Sequence, residues 1–173
     1  MKLKVMVSLV SLAALVACSG DVLDTGVAGN ASGGLGSGGG IGQAELQNYE
    51  PDSPEYFTEL IGNTVYFEVD QSVISEDSAA VLRQQAQWLN QNTEYSVLVE
   101  GHADEQGTRE YNLALGARRA AAVKSFLTDL GVADIRLATV TYGKERPVAV
   151  CSSETCWSKN RRSVSVVERE SGG

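Results

Sequence analysis

"VEGHADEQGTREYNLALGARRAAAVK", residues 99–124, decides how this chain folds. Its first residues close the β-branched run "YSVLVEG" over 95–101, which reads as a strand. A polar turn with Asp104, Glu105 and Gly107 follows. From Thr108, a candidate N-cap, the apolar residues recur at helical spacing through Leu130, where Gly131 ends the run. The same strand–helix alternation extends in both directions. "NTVYFEV", 63–69, reads as an earlier strand, and Ser75 with Glu76 and Asp77 opens a helix striped by Val81, Leu82, Ala86 and Leu89. "RLATVTYG", 136–143, and "RSVSVVE", 162–168, are third and fourth strands. The expected fold is an α/β sandwich, with helices packed on a mixed four-stranded sheet.

One residue in the long helix is out of place. With Arg119 set at zero and about 100° per residue, Leu115, Val123, Phe126 and Leu130 all fall within about 40° of it. Arg119 therefore sits in the middle of the apolar stripe, whereas Arg118 lies at its edge. A guanidinium keeps its proton, and burying one unpaired is costly. Arg119 must meet an acid, a group of carbonyls or a ligand. Asp104, in the loop before the helix, is the natural partner. A closed Arg119–Asp104 pair would only brace the loop against the helix. The same two groups can instead receive an amino-acid zwitterion, the arginine taking the carboxylate bidentately and the aspartate the ammonium. Backbone N–H groups near Thr108–Glu110 could add donors.

The N-terminus sets the compartment. Lys2 and Lys4 precede an apolar run, Val5 to Val16, that is shorter than the ~20 residues of a spanning helix. Residues 1–17 read as a secretory signal. "LVAC", ending at Cys18, resembles a bacterial lipobox, which implies cleavage before Cys18 and lipid on its sulfur. Acyl chains at ~0.8 kcal/mol per buried methylene anchor a chain without spanning the bilayer. Residues 26–42, "GVAGNASGGLGSGGGIG", form a linker, so 18–59 is assigned to a tether with a reach of roughly 35 Å. A single domain over 60–173 remains. With 22 acidic against 14 basic residues the chain carries −8, and loss of Lys2 and Lys4 makes it more acidic still. That balance argues against non-specific nucleic-acid binding. Cys151 and Cys156 form an even pair, a disulfide candidate in an oxidising compartment.

"TVYFEVD", the opening stretch, "VTYGKERP" and "KNRRSV", taken in order, resemble the OmpA-like peptidoglycan-binding domain family over residues 63–167. The resemblance implies a β-α-β-α-β-β sandwich that binds the diaminopimelate in peptidoglycan stem peptides. It implies contact through Asp104 and Arg119, the two residues reached from helix geometry, and it adds Asp70 from the loop after the first strand. Val69 departs from the aromatic residue usual before that aspartate, and the cysteine pair lies outside the family's core pattern. Together with the lipobox, and with Ser19 rather than aspartate after Cys18, the resemblance implies an outer-membrane lipoprotein facing the periplasm. The implied partners are peptidoglycan, TolB and the other Tol proteins; no cofactor is implied.

The remaining polar residues read more plainly. His102 is the only histidine, so no imidazole pair can build a catalytic zinc site, and it is expected to be a hydrogen-bonding residue at a strand end. Glu100 is expected to face solvent or pair internally, and Glu105 to be a solvated loop charge. Arg161 and Arg162 are expected to pair with local acids. Trp88 is expected to be a half-buried packing residue; Trp157 could pack or meet a sugar. Two other functions compete with a tether. A hydrolase could use Glu100, Asp104 or Glu105 as acid and base, but a nearby Arg119 lowers a carboxyl pKa instead of raising it. The other is a pure protein-interaction module.

Overall fold

Hydroxyl caps start the two long helices where the sequence predicts them. Ser75 Oγ accepts from the Ser78 N–H at 3.2 Å and opens α2, Glu76–Gln91. Thr108 Oγ1 accepts from the Tyr111 N–H at 3.2 Å and opens α3, Arg109–Asp129. Gly131 follows at φ 92°, a left-handed value that glycine adopts without a Cβ penalty. The computed structural model describes residues 49–169. The signal at 1–17, Cys18 and most of the proposed tether lie outside them. Among the described residues, no helix is long and apolar enough to cross a membrane.

Four strands form one mixed sheet: β1, Thr64–Tyr66; β2, Tyr95–His102; β3, Leu137–Gly143; and β4, Arg162–Arg169. Their spatial order is β1-β4-β2-β3, with β2 parallel to β3 and β4 antiparallel to both β1 and β2. The last strand is thus inserted between the first two. Along β2 the alternation is plain: Val97 and Val99 are buried, while Leu98 and Glu100 are only half-buried. Leu82, Leu89, Val123 and Leu127 complete the core from the helices.

The contact between α3 and β2 is close because both partners are glycine. A Cβ on Gly101 would lie 2.7 Å from the Gly116 carbonyl carbon and nearer still to its oxygen. This approach rotates the buried face of α3 from the expected stripe toward Ala120 and Leu127, leaving Leu130 exposed. Arg119 stays inside it.

Three expectations change. The first strand stops at Tyr66, so the chain from Phe67 onward is irregular. The folded part begins before Leu60. A turn of helix at Pro54–Tyr56 (α1) widens into a π-type turn over Phe57–Gly62, and Phe57 is fully buried. The Trp88 indole N–H reaches the Pro51 carbonyl at 2.7 Å, and the Tyr95 hydroxyl reaches that of Asp52 at 3.0 Å. Trp88 is therefore buried outright, packed in tilted contact between Phe57 and Tyr95, not half-buried. Finally, a short helix, α4 over Glu154–Asn160, precedes β4, and the Cys151–Cys156 disulfide closes its start.

Candidate functional site

The β1–α2 loop, the β2–α3 loop and the first turns of α3 converge on one cleft of about 280 Å³. Asp70 and Val69 line it from the first loop, Asp104 and Gln106 from the second, and Tyr111 and Leu115 from α3. A larger groove of about 590 Å³ runs along β1 and the start of α2, but it lacks Asp70 and Asp104. The smaller cleft is the one that gathers Asp70 and Asp104, two of the acids singled out from the sequence.

Arg119 is fully buried. Its Nε donates to the Gln71 carbonyl at 2.8 Å, Nη1 to that of His102 at 2.8 Å and Nη2 to that of Glu68 at 3.1 Å. The Glu68 and Gln71 carbonyls flank Asp70 in sequence, that of His102 precedes Asp104 by two residues, and Leu115 lies one turn before Arg119 on α3. The guanidinium is thus tied to the backbone that carries both cleft acids, without itself lining the cleft. Burial pushes its pKa down to about 10, and the nearby Asp104 charge only partly offsets that. The Phe67 ring lies beneath it, 5.2 Å from centroid to guanidinium carbon.

The expected Arg119–Asp104 ion pair is not formed. Asp104 bonds Arg161 instead, with Nη1 to Oδ2 at 3.2 Å, and its Oδ1 accepts from the Gln106 N–H at 3.1 Å. Of the alternatives open to Arg119, the group of carbonyls is the one realised. β4 lies beside β2 and so delivers Arg161 to the loop that Asp104 occupies. Arg161 also pairs with Glu154, as expected of an arginine with local acids. Arg162 does not follow that expectation; it donates to the Asn160 and Arg146 carbonyls.

Asp70 adopts φ 58°, a left-handed conformation that aspartate tolerates better than most residues. Its Oδ1 accepts from the Tyr111 hydroxyl, and this bond raises the phenol pKa above its usual range. The Tyr111 ring gives the cleft an aromatic surface where Val69 offers none. Tyr111 and Asn112 were legible only in part. Asn112 falls about 20° from Arg119 on the helix wheel, a second polar residue in the apolar stripe. It is buried, and its amide donates to the Gln106 carbonyl at 2.7 Å, shaping the cleft wall.

His102 ends β2 with its ring buried, 3.4 Å from Glu100 through Nε2. Burial, then the Arg162 and Arg146 charges, lower its pKa to about 4, so the ring is neutral at physiological pH. Glu105 is exposed, and the Trp157 indole N–H is buried without a hydrogen-bond partner among the described residues. Those residues contain no group of three or more His, Cys, Asp or Glu arranged to hold a metal ion.

The sequence matches the model of the OmpA family over residues 66–161. It is 47% identical over 163 residues to a protein of Mesorhizobium japonicum named peptidoglycan-associated lipoprotein, covering 94% of this chain and 90% of that one. A Brucella melitensis protein of the same name is 54% identical over 117 residues, covering 68% of this chain and 70% of its own. The crystal structure of the peptidoglycan-associated lipoprotein from Burkholderia pseudomallei matches the fold with a TM-score of 0.64 and 39% identity, covering 67% of this chain and 100% of that one. The family match and the likeness in fold agree, and the chain belongs to the OmpA family.

Proposed function

We propose that this chain is an outer-membrane lipoprotein whose folded domain binds, without catalysis, the diaminopimelate-bearing stem peptide of peptidoglycan. The names of its relatives support the ligand class. One observation carries the choice of site: a fully buried guanidinium, hydrogen-bonded to three backbone carbonyls, holds the two loops that bring Asp70 and Asp104 into one cleft. Three of its five N–H donors are used, leaving two for an incoming carboxylate. The ligand carboxylate approaches Arg119 as the Glu68–Gln71 backbone gives way. Asp104 and Asp70 take the ammonium, and the Tyr111 ring packs against the aliphatic carbons between the two charges.

Lipid at Cys18 holds the membrane side and the tether supplies reach. Many anchored copies facing a polymer of repeated ligands then reach useful avidity from modest single-site affinity. As part of the Tol-Pal system, in envelope integrity and cell division, the domain exchanges between cell wall and TolB, which docks on the same face. Calorimetric titration compares stem peptides carrying diaminopimelate with ones carrying lysine, which lack the distal carboxylate. The lysine peptide should bind roughly tenfold more weakly or worse, because two buried donors stay unanswered. Equal affinities would remove Arg119 from the site. TolB binding that is unchanged at saturating stem peptide would disprove the shared face. Sacculi incubated with the protein should release no soluble fragments; their release would point to the hydrolase.

A further inference from the structure

Arg161 joins two carboxylates that belong to different parts of the fold. Its Nη1 lies 3.2 Å from Asp104 Oδ2 and 3.3 Å from Glu154 Oε2, and its Nη2 bonds Glu154 Oε1. Its Nε donates to the Phe67 carbonyl at 3.1 Å. Arg161 is buried and fixed by these contacts, whereas the Glu154 side chain is 61% exposed and, among the described residues, forms an ion pair with Arg161 alone. Glu154 stands between the two bonded cysteines, in the first turn of α4. Ser153 makes no side-chain capping bond there, so the disulfide is the strongest fastening at the start of this seven-residue helix.

We infer that Glu154 and the Cys151–Cys156 disulfide are positioning elements of the stem-peptide site: Glu154 shares the Arg161 cation, leaving Asp104 free to attract the ligand's ammonium, and the disulfide holds Glu154 in place. This rests on the function proposed above. Two carboxylates around one guanidinium leave the trio with a net negative charge. Without Glu154, the Arg161 fork closes on Asp104 alone and the pair becomes neutral. The bond to Arg161 also keeps the Glu154 carboxyl below its usual pKa, so it is ionised at neutral pH.

The test uses the full-length chain and two probes: a diaminopimelate stem tripeptide, and the same peptide with the side-chain amino group replaced by hydrogen. Glu154→Gln should weaken binding of the first probe roughly two- to fivefold, the range of a partly solvated charge pair, and leave the second unchanged. Glu154→Asp, which keeps the charge, should retain more affinity than Glu154→Gln. The double variant Cys151→Ser/Cys156→Ser should weaken the first probe in the same direction. Combined with Glu154→Gln it should add nothing, because both changes act through one contact. Equal losses for both probes, no loss in Glu154→Gln, or additive losses would each overturn the inference. If the double variant fails to fold, Glu154→Gln against the two probes still decides. A parent chain that binds neither probe overturns the stem-peptide reading, and this assignment with it. A parent that binds beside an unaffected Glu154→Gln variant overturns only the positioning role.

Discussion

Replacing Arg119 by methionine, with alanine for comparison, separates the binding role of the guanidinium from its part in stability. The charged group is fully buried, and burial pushes its pKa down to about 10, so the charged form is disfavoured by ~3 kcal/mol. Against that stand three hydrogen bonds from a charged donor, each contributing about 1.5 kcal/mol at the low end of the usual range. Methionine forfeits the bonds but also lifts the burial cost, and its chain fills the space over Phe67. The net loss should be about 1–2 kcal/mol. Alanine leaves the same three carbonyls unanswered and opens a cavity as well, for a total of about 3–5 kcal/mol. Urea unfolding with an unchanged slope measures the difference, and titration with stem peptide measures binding. Both variants should lose the stem peptide while Arg119→Met stays folded. A folded methionine variant that binds like the parent would refute the role given to the guanidinium. Equal destabilisation of the two variants would refute the cavity cost assigned to alanine.

Three further outcomes follow from the same contacts. His102 titrates near 4 when folded and near 6.5 when unfolded, so the unfolded chain holds more protons between those values. Stability from its neutral burial is fully present above pH 6.5 and falls by ~3 kcal/mol as pH drops through 4; urea midpoints should show this, and His102→Gln should flatten the profile. Gly101→Ala drives a methyl into the Gly116 carbonyl and should cost about 3 kcal/mol; a neutral result in thermal unfolding would contradict the close α3–β2 approach. A chain beginning at Leu60 loses buried Phe57 and the acceptors of Trp88 and Tyr95, and should be about 3–5 kcal/mol less stable than one beginning at Tyr49. Equal chemical denaturation curves would restore the later boundary.

Residues 99–124 carried most of the fold because their signals are local. Thr108 caps its helix through an N–H three residues on, Gly131 ends it, and alternation along 95–101 marks a strand; each rule acts within a few residues. Arg119 was legible as a buried cation for the same reason, since a helix wheel needs only the helix. What it bonds to was not. Asp104 and Arg161 are 57 residues apart, and they meet only because β4 inserts between β1 and β2. The α1 segment and α4 escaped notice for a related reason: their short helices gain order from Trp88, Tyr95 and a disulfide, and spacing within either segment cannot reveal that. Periodicity, acting between near neighbours, settled which elements form and which cation is buried. Strand order, set by the packing of the whole sheet, decided that Asp104 is held by Arg161 and that carbonyls meet the buried cation instead.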